Sequence, residues 1–399
     1  MSTTMGRMEF GLFMPPQHYA RQNATRAIHR NLETIQYAES LGFTEAWIGE
    51  HHTGGSEIIG PSDLFIAAAV ERTSRIRLGT GVASLPYHHP LDVVERAVFL
   101  DHLSYGRTMF GVGPGSLPSD GHQIGLDWST TRARMVESLE VIYELLTSEG
   151  TVSHEADWFT LKDAALQIGL YSAEPKFVFT AMESPFGPSL AGKYGGGLLS
   201  LSATTAAGYA ALGRHWAVAE EQAEKHGRTV DRADWRVVVM MHIAETKEEA
   251  YAQCDPGLFK WVTTVQGGSE RTLEWFQGDP DAPAPTGPPS VEDLAMFLGS
   301  TKVACIGTPA DAVEVIQGLV EATGGFGKVL IYAGMDWANQ ADSYKSLELL
   351  SREVLPHFNG SMNYQIRSEA RVMKTLEARR AEQRTSIKAA TVKYDADNK

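Results

Sequence analysis

Eight apolar runs alternating with segments of helical periodicity constrain this chain more than any other feature. Residues 8–14 read as a buried strand stopped by Pro15-Pro16. Across residues 24–41, Ile28, Leu32, Ile35 and Leu41 recur at helical spacing, and Gly42 follows as a C-cap. The pattern then repeats, with strands at 46–49, 75–82, 108–113, 176–181, 197–200, 235–243 and 328–332. Helical segments fall at 61–70, 90–100, 132–146 and 206–226, and the third strand ends in Gly79-Thr-Gly-Val82. Residues 151–170 break the rhythm and read as a small antiparallel excursion. Strand and helix in alternation argue a parallel α/β fold. Eight strands favour a (β/α)8 TIM barrel over a doubly wound sheet, since no Gly-x-Gly-x-x-Gly lies between the first strand and the first helix.

The barrel is expected to occupy residues 1–355. Residues 356–399 turn polar, with a helix-capable stretch at 369–388, and read as a peripheral or intersubunit C-terminal helical extension. Between strands seven and eight, residues 265–289 are so rich in Pro and Gly that a long loop is expected. Loops that follow barrel strands border the active site, which makes a lid the sharper expectation. The net charge is -14, and no Lys/Arg block is long enough to track a phosphate backbone, which argues against nucleic acid. Cys254 and Cys305 are the two cysteines, too few for a disulfide scaffold or a four-cysteine zinc site, although one bridge between them stays open. No apolar run reaches membrane-spanning length, and the N-terminus lacks an apolar signal region, so a cytoplasmic location is expected.

Candidate chemistry gathers just beyond strand ends. Ala46-Trp-Ile-Gly-Glu-His-His52 runs from a strand into a carboxylate and two imidazoles. A histidine there can move protons near neutral pH. A solvated turn and a metal-ligand pair are the competing readings of the same residues; the second needs further ligands that the sequence does not mark. Pro86-Tyr-His-His-Pro90, Gly111-Val-Gly-Pro-Gly115 and Met182-Glu-Ser-Pro-Phe-Gly187 follow strands three, four and five. Ser184 can cap the next helix, whose free N–H groups suit a phosphate, and Arg132 can supply a guanidinium fork. No Gly-Lys-Ser/Thr phosphate loop exists, so a monophosphate such as that of FMN fits better than a triphosphate. Leu85, Tyr87, Leu117, Met182 and Phe186 place apolar material near these loops, as an apolar organic substrate requires.

Taken in order, these residues resemble the bacterial luciferase-like monooxygenases, a flavin-dependent (β/α)8 family, over residues 8–355. The marks are Phe10-Gly11, Gly42-Phe43, Trp47 with Glu50-His51-His52, Arg77-Leu-Gly-Thr-Gly81, His89-Pro90, Leu100-Asp101, Ser104-x-Gly106-Arg107, Phe110-Gly-Val-Gly113, Arg132-Ala133 and Glu183-Ser184. The overall look is closer to alkanal and limonene monooxygenases. The resemblance implies FMN, used as FMNH2 supplied by a separate NAD(P)H-dependent flavin reductase. It also implies a C4a-peroxyflavin that oxidises an aldehyde, terpene or ketone. His51 matches the active-site histidine beside the flavin, while Arg132, Glu183 and Ser184 match phosphate contacts. Gly81-Val82 falls where a non-proline cis peptide lies beneath the isoalloxazine ring. A homodimer through the early barrel helices and the absence of a metal are implied as well. This sequence departs from luciferases at Gly113, where they carry a reactive cysteine, and at Pro114, where they carry an arginine. Gly187 replaces a phosphate-holding threonine, leaving its backbone N–H. The rival readings are an F420-dependent hydride-transfer enzyme and a non-catalytic flavin-binding barrel on the same fold.

Overall fold

The computed structural model describes residues 7–15, 17–18, 22–53, 55, 57–174, 176–255, 257–261, 290–300 and 302–398. The Gly/Pro-rich stretch 265–289, expected as a lid, lies outside the described residues.

Eight parallel strands close on themselves: β1 (Glu9–Met14), β2 (Glu45–Ile48), β3 (Arg77–Thr80), β5 (Thr108–Gly113), β8 (Phe177–Ala181), β9 (Gly197–Ser200), β10 (Trp235–Ile243) and β12 (Lys328–Tyr332). β12 returns to β1 with Leu330 beside Gly11, which completes the ring. Side chains alternate across the wall as the period of two demands. Phe13, Trp47, Met109, Val178, Leu199, Val238 and Leu330 fill the interior. Their sequence neighbours Leu12, Ala46, Phe179, Leu198, Val237 and Val329 pack outward in the main core cluster. Gly79 is small because Trp47 is large: a Cβ there would lie 2.5 Å from the indole.

Two residues below that apolar layer the same inward register carries charge. Glu45, Arg236 and Lys328 are all buried at the amino end of the barrel. Arg236 donates to both oxygens of Glu45, at 2.7 and 3.0 Å, and its guanidinium lies 5.0 Å from the Trp47 ring. Arg77 reaches Glu45 at 2.7 Å, and Trp47 Nε1 donates to it at 2.9 Å. Burial alone would push the Glu45 carboxyl up, but Arg236, Arg77 and Lys328 together hold it below its ordinary value.

The structure refines the expected strands at three places. The third run breaks after Thr80 and resumes as β4 (Ala83–Ser84), which pairs with β5. The excursion is the antiparallel pair β6 (Val152–Glu155) and β7 (Thr160–Ala164), without residues 166–170. An unexpected parallel strand, β11 (Ala304–Gly307), pairs with Met240–Ile243 of β10, while Arg236–Val239 pair with β12. Four residues flanked by helices carry too little periodicity to be read as a strand. The C-terminal helix spans Asn363–Asp397, well beyond the expected stretch, and has no buried residue. Among the described residues no helix is long and apolar enough to cross a membrane.

Candidate active site

Glu50, His51 and His52 leave the carboxyl end of β2, where barrel strands present reactive groups. The two imidazoles turn to different carboxylates. His51 Nδ1 lies 3.0 Å from Asp120 Oδ2. The backbone N–H of His52 donates to Asp120 Oδ1 at 3.1 Å, and the Thr53 hydroxyl donates to the same oxygen. His52 Nε2 instead meets Glu50 Oε1 at 3.2 Å, an oxygen it shares with His88 Nε2. The other oxygen of Glu50 accepts from the Ser84 N–H at 2.7 Å. Glu50, His52 and His88 stand close enough to surround an ion, yet these hydrogen bonds already account for their arrangement. The adjacent histidines do not converge on one point, as a ligand pair of His51 and His52 would.

These partners set the charges. Burial would raise Glu50, but His52, His88 and the Ser84 N–H bring it down to about 2. Asp120 is likewise held low: burial opposes this, and the bonds from His51 and Thr53 prevail. His51 moves up, because its bond to Asp120 and the charges of Glu57 and Glu50 outweigh burial, which lowers it. With Nδ1 committed to Asp120, Nε2 is the nitrogen left to face a reactant.

At the carboxyl ends of β3 and β5 the backbone is closely packed. The Gly81–Val82 peptide is cis. A Cβ on Gly113 would come within 2.6 Å of Val82 Cγ2 and 3.0 Å of Thr180 Oγ1, so a side chain at 113 would displace Val82. At Gly115, whose φ is +87°, a Cβ would strike the Tyr87 hydroxyl. That hydroxyl is enclosed without a hydrogen-bond partner among the described residues. Burial first, and Asp120 and Glu50 next, raise its pKa.

A second set of residues lies at the end of β8. Helix α6 (Phe186–Tyr194) begins after Pro185, and no side chain caps it; Ser184, expected to do so, is exposed one residue too early. Gly187 sits so close to β8 that a Cβ would lie 1.7 Å from the Thr180 carbonyl oxygen. Arg132, at the start of the helix Thr131–Thr147, places its guanidinium 5.8 Å from the Phe186 ring, beside the open helix end. Glu183 is exposed and accepts from the Thr205 hydroxyl at 3.5 Å.

The expected pocket residues separate. Leu85 has no accessible surface and packs in the main core rather than facing a cavity. Tyr87, Leu117 and Phe186 are half-buried and Met182 is exposed. A cavity of about 220 Å³ lies elsewhere, between the outer side of β3 and β5 and the helices α2 (Ser62–Val70) and α3 (Pro90–Leu103). It shares Glu50, His52 and His88 with the site but none of the five expected pocket residues.

A family model for luciferase-like monooxygenases matches residues 8–325. The chain belongs to the luciferase-like monooxygenase family. This monooxygenase is 44% identical over 376 residues to limonene 1,2-monooxygenase of Rhodococcus erythropolis, covering 94% of this chain and 92% of that protein. It is 40% identical over 382 residues to 4-hydroxyprotoasukamycin monooxygenase of Streptomyces nodosus subsp. asukaensis, covering 94% and 99%. The barrel also superposes on the oxygenating constituent of 3,6-diketocamphane monooxygenase of Pseudomonas putida, solved with FMN. The TM-score is 0.73 and the identity 24%, with 88% of this chain and 98% of that one covered. That last likeness concerns the fold.

Three residues that the fold brings to this candidate site were not read from the sequence: Asp120, Glu57 and His88. Asp120 had a usable signal, as an acid in the first turn of a short helix, Pro118–Gln123, directly after β5. His88 lay within a noted motif but without a partner. Glu57 follows a small-residue stretch, and nothing local marks it.

Proposed function

We propose that this chain uses reduced FMN and O2 to insert one oxygen atom into an apolar organic substrate, with a cyclic alkene of the terpene class as the leading candidate. The observation that carries the proposal is the His51–Asp120 dyad at the carboxyl end of the barrel, with His51 Nδ1 held 3.0 Å from Asp120 Oδ2. The substrate class is supported by the 44% identity to limonene 1,2-monooxygenase over 94% of the chain. FMN fits the residues present. The uncapped start of α6 offers N–H groups for a phosphate, and Arg132 adds a guanidinium beside it. Bound reduced flavin would supply the two electrons that activate oxygen. The protein's own task is to hold the flavin, keep His51 oriented and manage one proton at His51 Nε2.

Anaerobic titration with reduced FMN and with reduced F420, followed by mixing with oxygen, tests the proposal. Binding of reduced FMN and oxygen-dependent conversion of limonene is the expected result. Binding of F420 alone would move the protein to hydride transfer. Arg132→Ala is expected to raise the Kd for reduced FMN about tenfold or more. An unchanged Kd in that titration would remove Arg132 from the site.

The donor of reduced flavin is proposed to be a separate NAD(P)H-dependent reductase. The assembly is proposed to be a homodimer through α2 and α3. Leu64 and Phe99 are 67% and 59% exposed on these neighbouring helices, which the Arg96–Asp63 ion pair links at 3.1 Å. Large exposed apolar side chains of this kind mark interfaces. The double variant L64D/F99D should sediment as a monomer with unchanged circular dichroism; a wild-type chain that is itself monomeric would end this part of the proposal.

A further inference from the structure

Glu57 has no task in the function proposed above. It forms a short antiparallel bridge with Gln17, and its side chain is 9% exposed. Gln17 Nε2 donates to its Oε1 at 3.2 Å. The other oxygen is enclosed and has no hydrogen-bond partner among the described residues. It lies 3.7 Å from His51 Nδ1, the nitrogen already engaged by Asp120 at 3.0 Å. Two carboxyl groups therefore converge on one imidazole nitrogen. One dyad partner would have sufficed to orient the ring.

An enclosed carboxylate oxygen without a donor is costly unless a cation stands beside it or it carries a proton. The groups facing the pair are Asp120 from the helix Pro118–Gln123, Glu50 and His52 from the loop after β2, and Tyr332 from β12. Two of the four are carboxylates. Loss of the His51 proton would leave Asp120 and Glu57 crowded at the same nitrogen of a neutral ring, with Glu50 close behind. Either the imidazole stays charged, or Glu57 takes up the proton and holds it next to the ring. Burial, and after it the charge of Asp120, raise Glu57 in keeping with that exchange, while the His51 charge and the Gln17 bond oppose the rise.

We propose that Glu57 is a positioning residue that keeps His51 in its imidazolium form, and so commits the site to giving up oxygen as a protonated electrophile to a C=C bond. The proposal rests on the monooxygenase function above. With an alkene, reduced flavin, O2 and the C=C bond become oxidised flavin, water and an epoxide. With a ketone the same inputs give oxidised flavin, water and an ester or lactone. In both, the flavin gives two electrons and two protons and the substrate two electrons. One oxygen atom enters the substrate and the other leaves as water. The two routes balance alike and differ only in whether the transferred oxygen carries a proton when it meets the substrate. Towards a C=C bond the transferred oxygen must stay protonated while the π electrons form the new bond and the O–O bond breaks. Towards a carbonyl carbon it must be deprotonated first. Imidazolium serves the first need and neutral imidazole the second.

Glu57→Gln keeps the size of the side chain and removes its charge. In the flavin-free full-length protein, NMR titration of the His51 ring should show a midpoint at least about one pH unit lower in E57Q than in the wild type. E57D, which restores a carboxylate, should recover part of the difference. An unchanged midpoint in E57Q overturns the proposal. With dihydrocarvone, which carries both a C=C and a C=O, the wild type should give the epoxide, and the epoxide-to-lactone ratio should fall about tenfold in E57Q. An unchanged ratio also overturns it. Absence of any FMNH2-dependent product from the wild type would instead refute the proposed function, with the ring titration still deciding whether Glu57 governs His51.

Discussion

His51→Ala is expected to lower oxygenated product by about 10²-fold or more while leaving reduced-FMN affinity within a few-fold, as the loss of a positioned acid–base group does. The expectation follows from where the ring is held. Asp120 fixes Nδ1 and is itself tied to the His52 N–H and the Thr53 hydroxyl, so the imidazole cannot swing away without unmaking the whole turn. The phosphate-binding groups proposed at α6 and Arg132 lie on other elements of the barrel and keep their geometry in the variant. Asp120→Asn is the informative companion. It preserves shape but removes the charge that favours imidazolium, so its pH–rate profile should lose activity at lower pH than the wild type does. Single-turnover product formation and a separate flavin titration distinguish these effects. Wild-type turnover in His51→Ala would remove proton handling from this residue.

Glu45→Ala should cost about 3–5 kcal/mol of folding stability, among the largest single effects in the molecule, because it removes the buried counter-charge of buried cations. Arg236 and Lys328 are both buried, and Arg236 loses its two bonds to that carboxylate, which leaves the exposed Asp234 as the acid beside both cations. The pH dependence has a definite sign. Glu45 is held below its unfolded value. Its contribution is therefore present above the ordinary carboxylate range and is lost as pH falls through the depressed folded value. Denaturant melts at several pH values check both statements. The variant should show a lower midpoint near neutrality and a shallower loss in acid, and an unchanged midpoint would mean that the cluster is replaceable.

Much of this structure was legible because the barrel imposes a strict rhythm. Thr108–Gly113, Gly197–Ser200, Trp235–Ile243 and Lys328–Tyr332 were bounded to the residue by apolar runs meeting turn-forming neighbours. The site was legible only where strand ends carry chemistry directly, as at His51. Asp120 and Glu57 are 69 and 6 positions from His51 in sequence and meet it only through folding. Leu85 shows the converse. Lying beside a motif made it a pocket candidate, yet its direction on a short turn sends it into the core. Ser184 failed as a cap for a similar reason, since a one-residue shift in the helix start changes which side chain can reach it.

The fork in β10 bears on how such an enzyme changes over generations. The lower half of that strand closes the ring against β12, whereas its upper half is bound to β11. β11 packs with Cys254, Leu258, Trp261 and Leu298 in an apolar cluster of its own, apart from the barrel's. The helices Lys247–Cys254, Gly257–Lys260 and Val291–Ser300 thus hang from the rim on a bracket with its own foundation. Mutations accumulating there answer to that small cluster rather than to barrel closure, so this quarter of the rim can be remodelled while the ring that holds His51 is inherited intact.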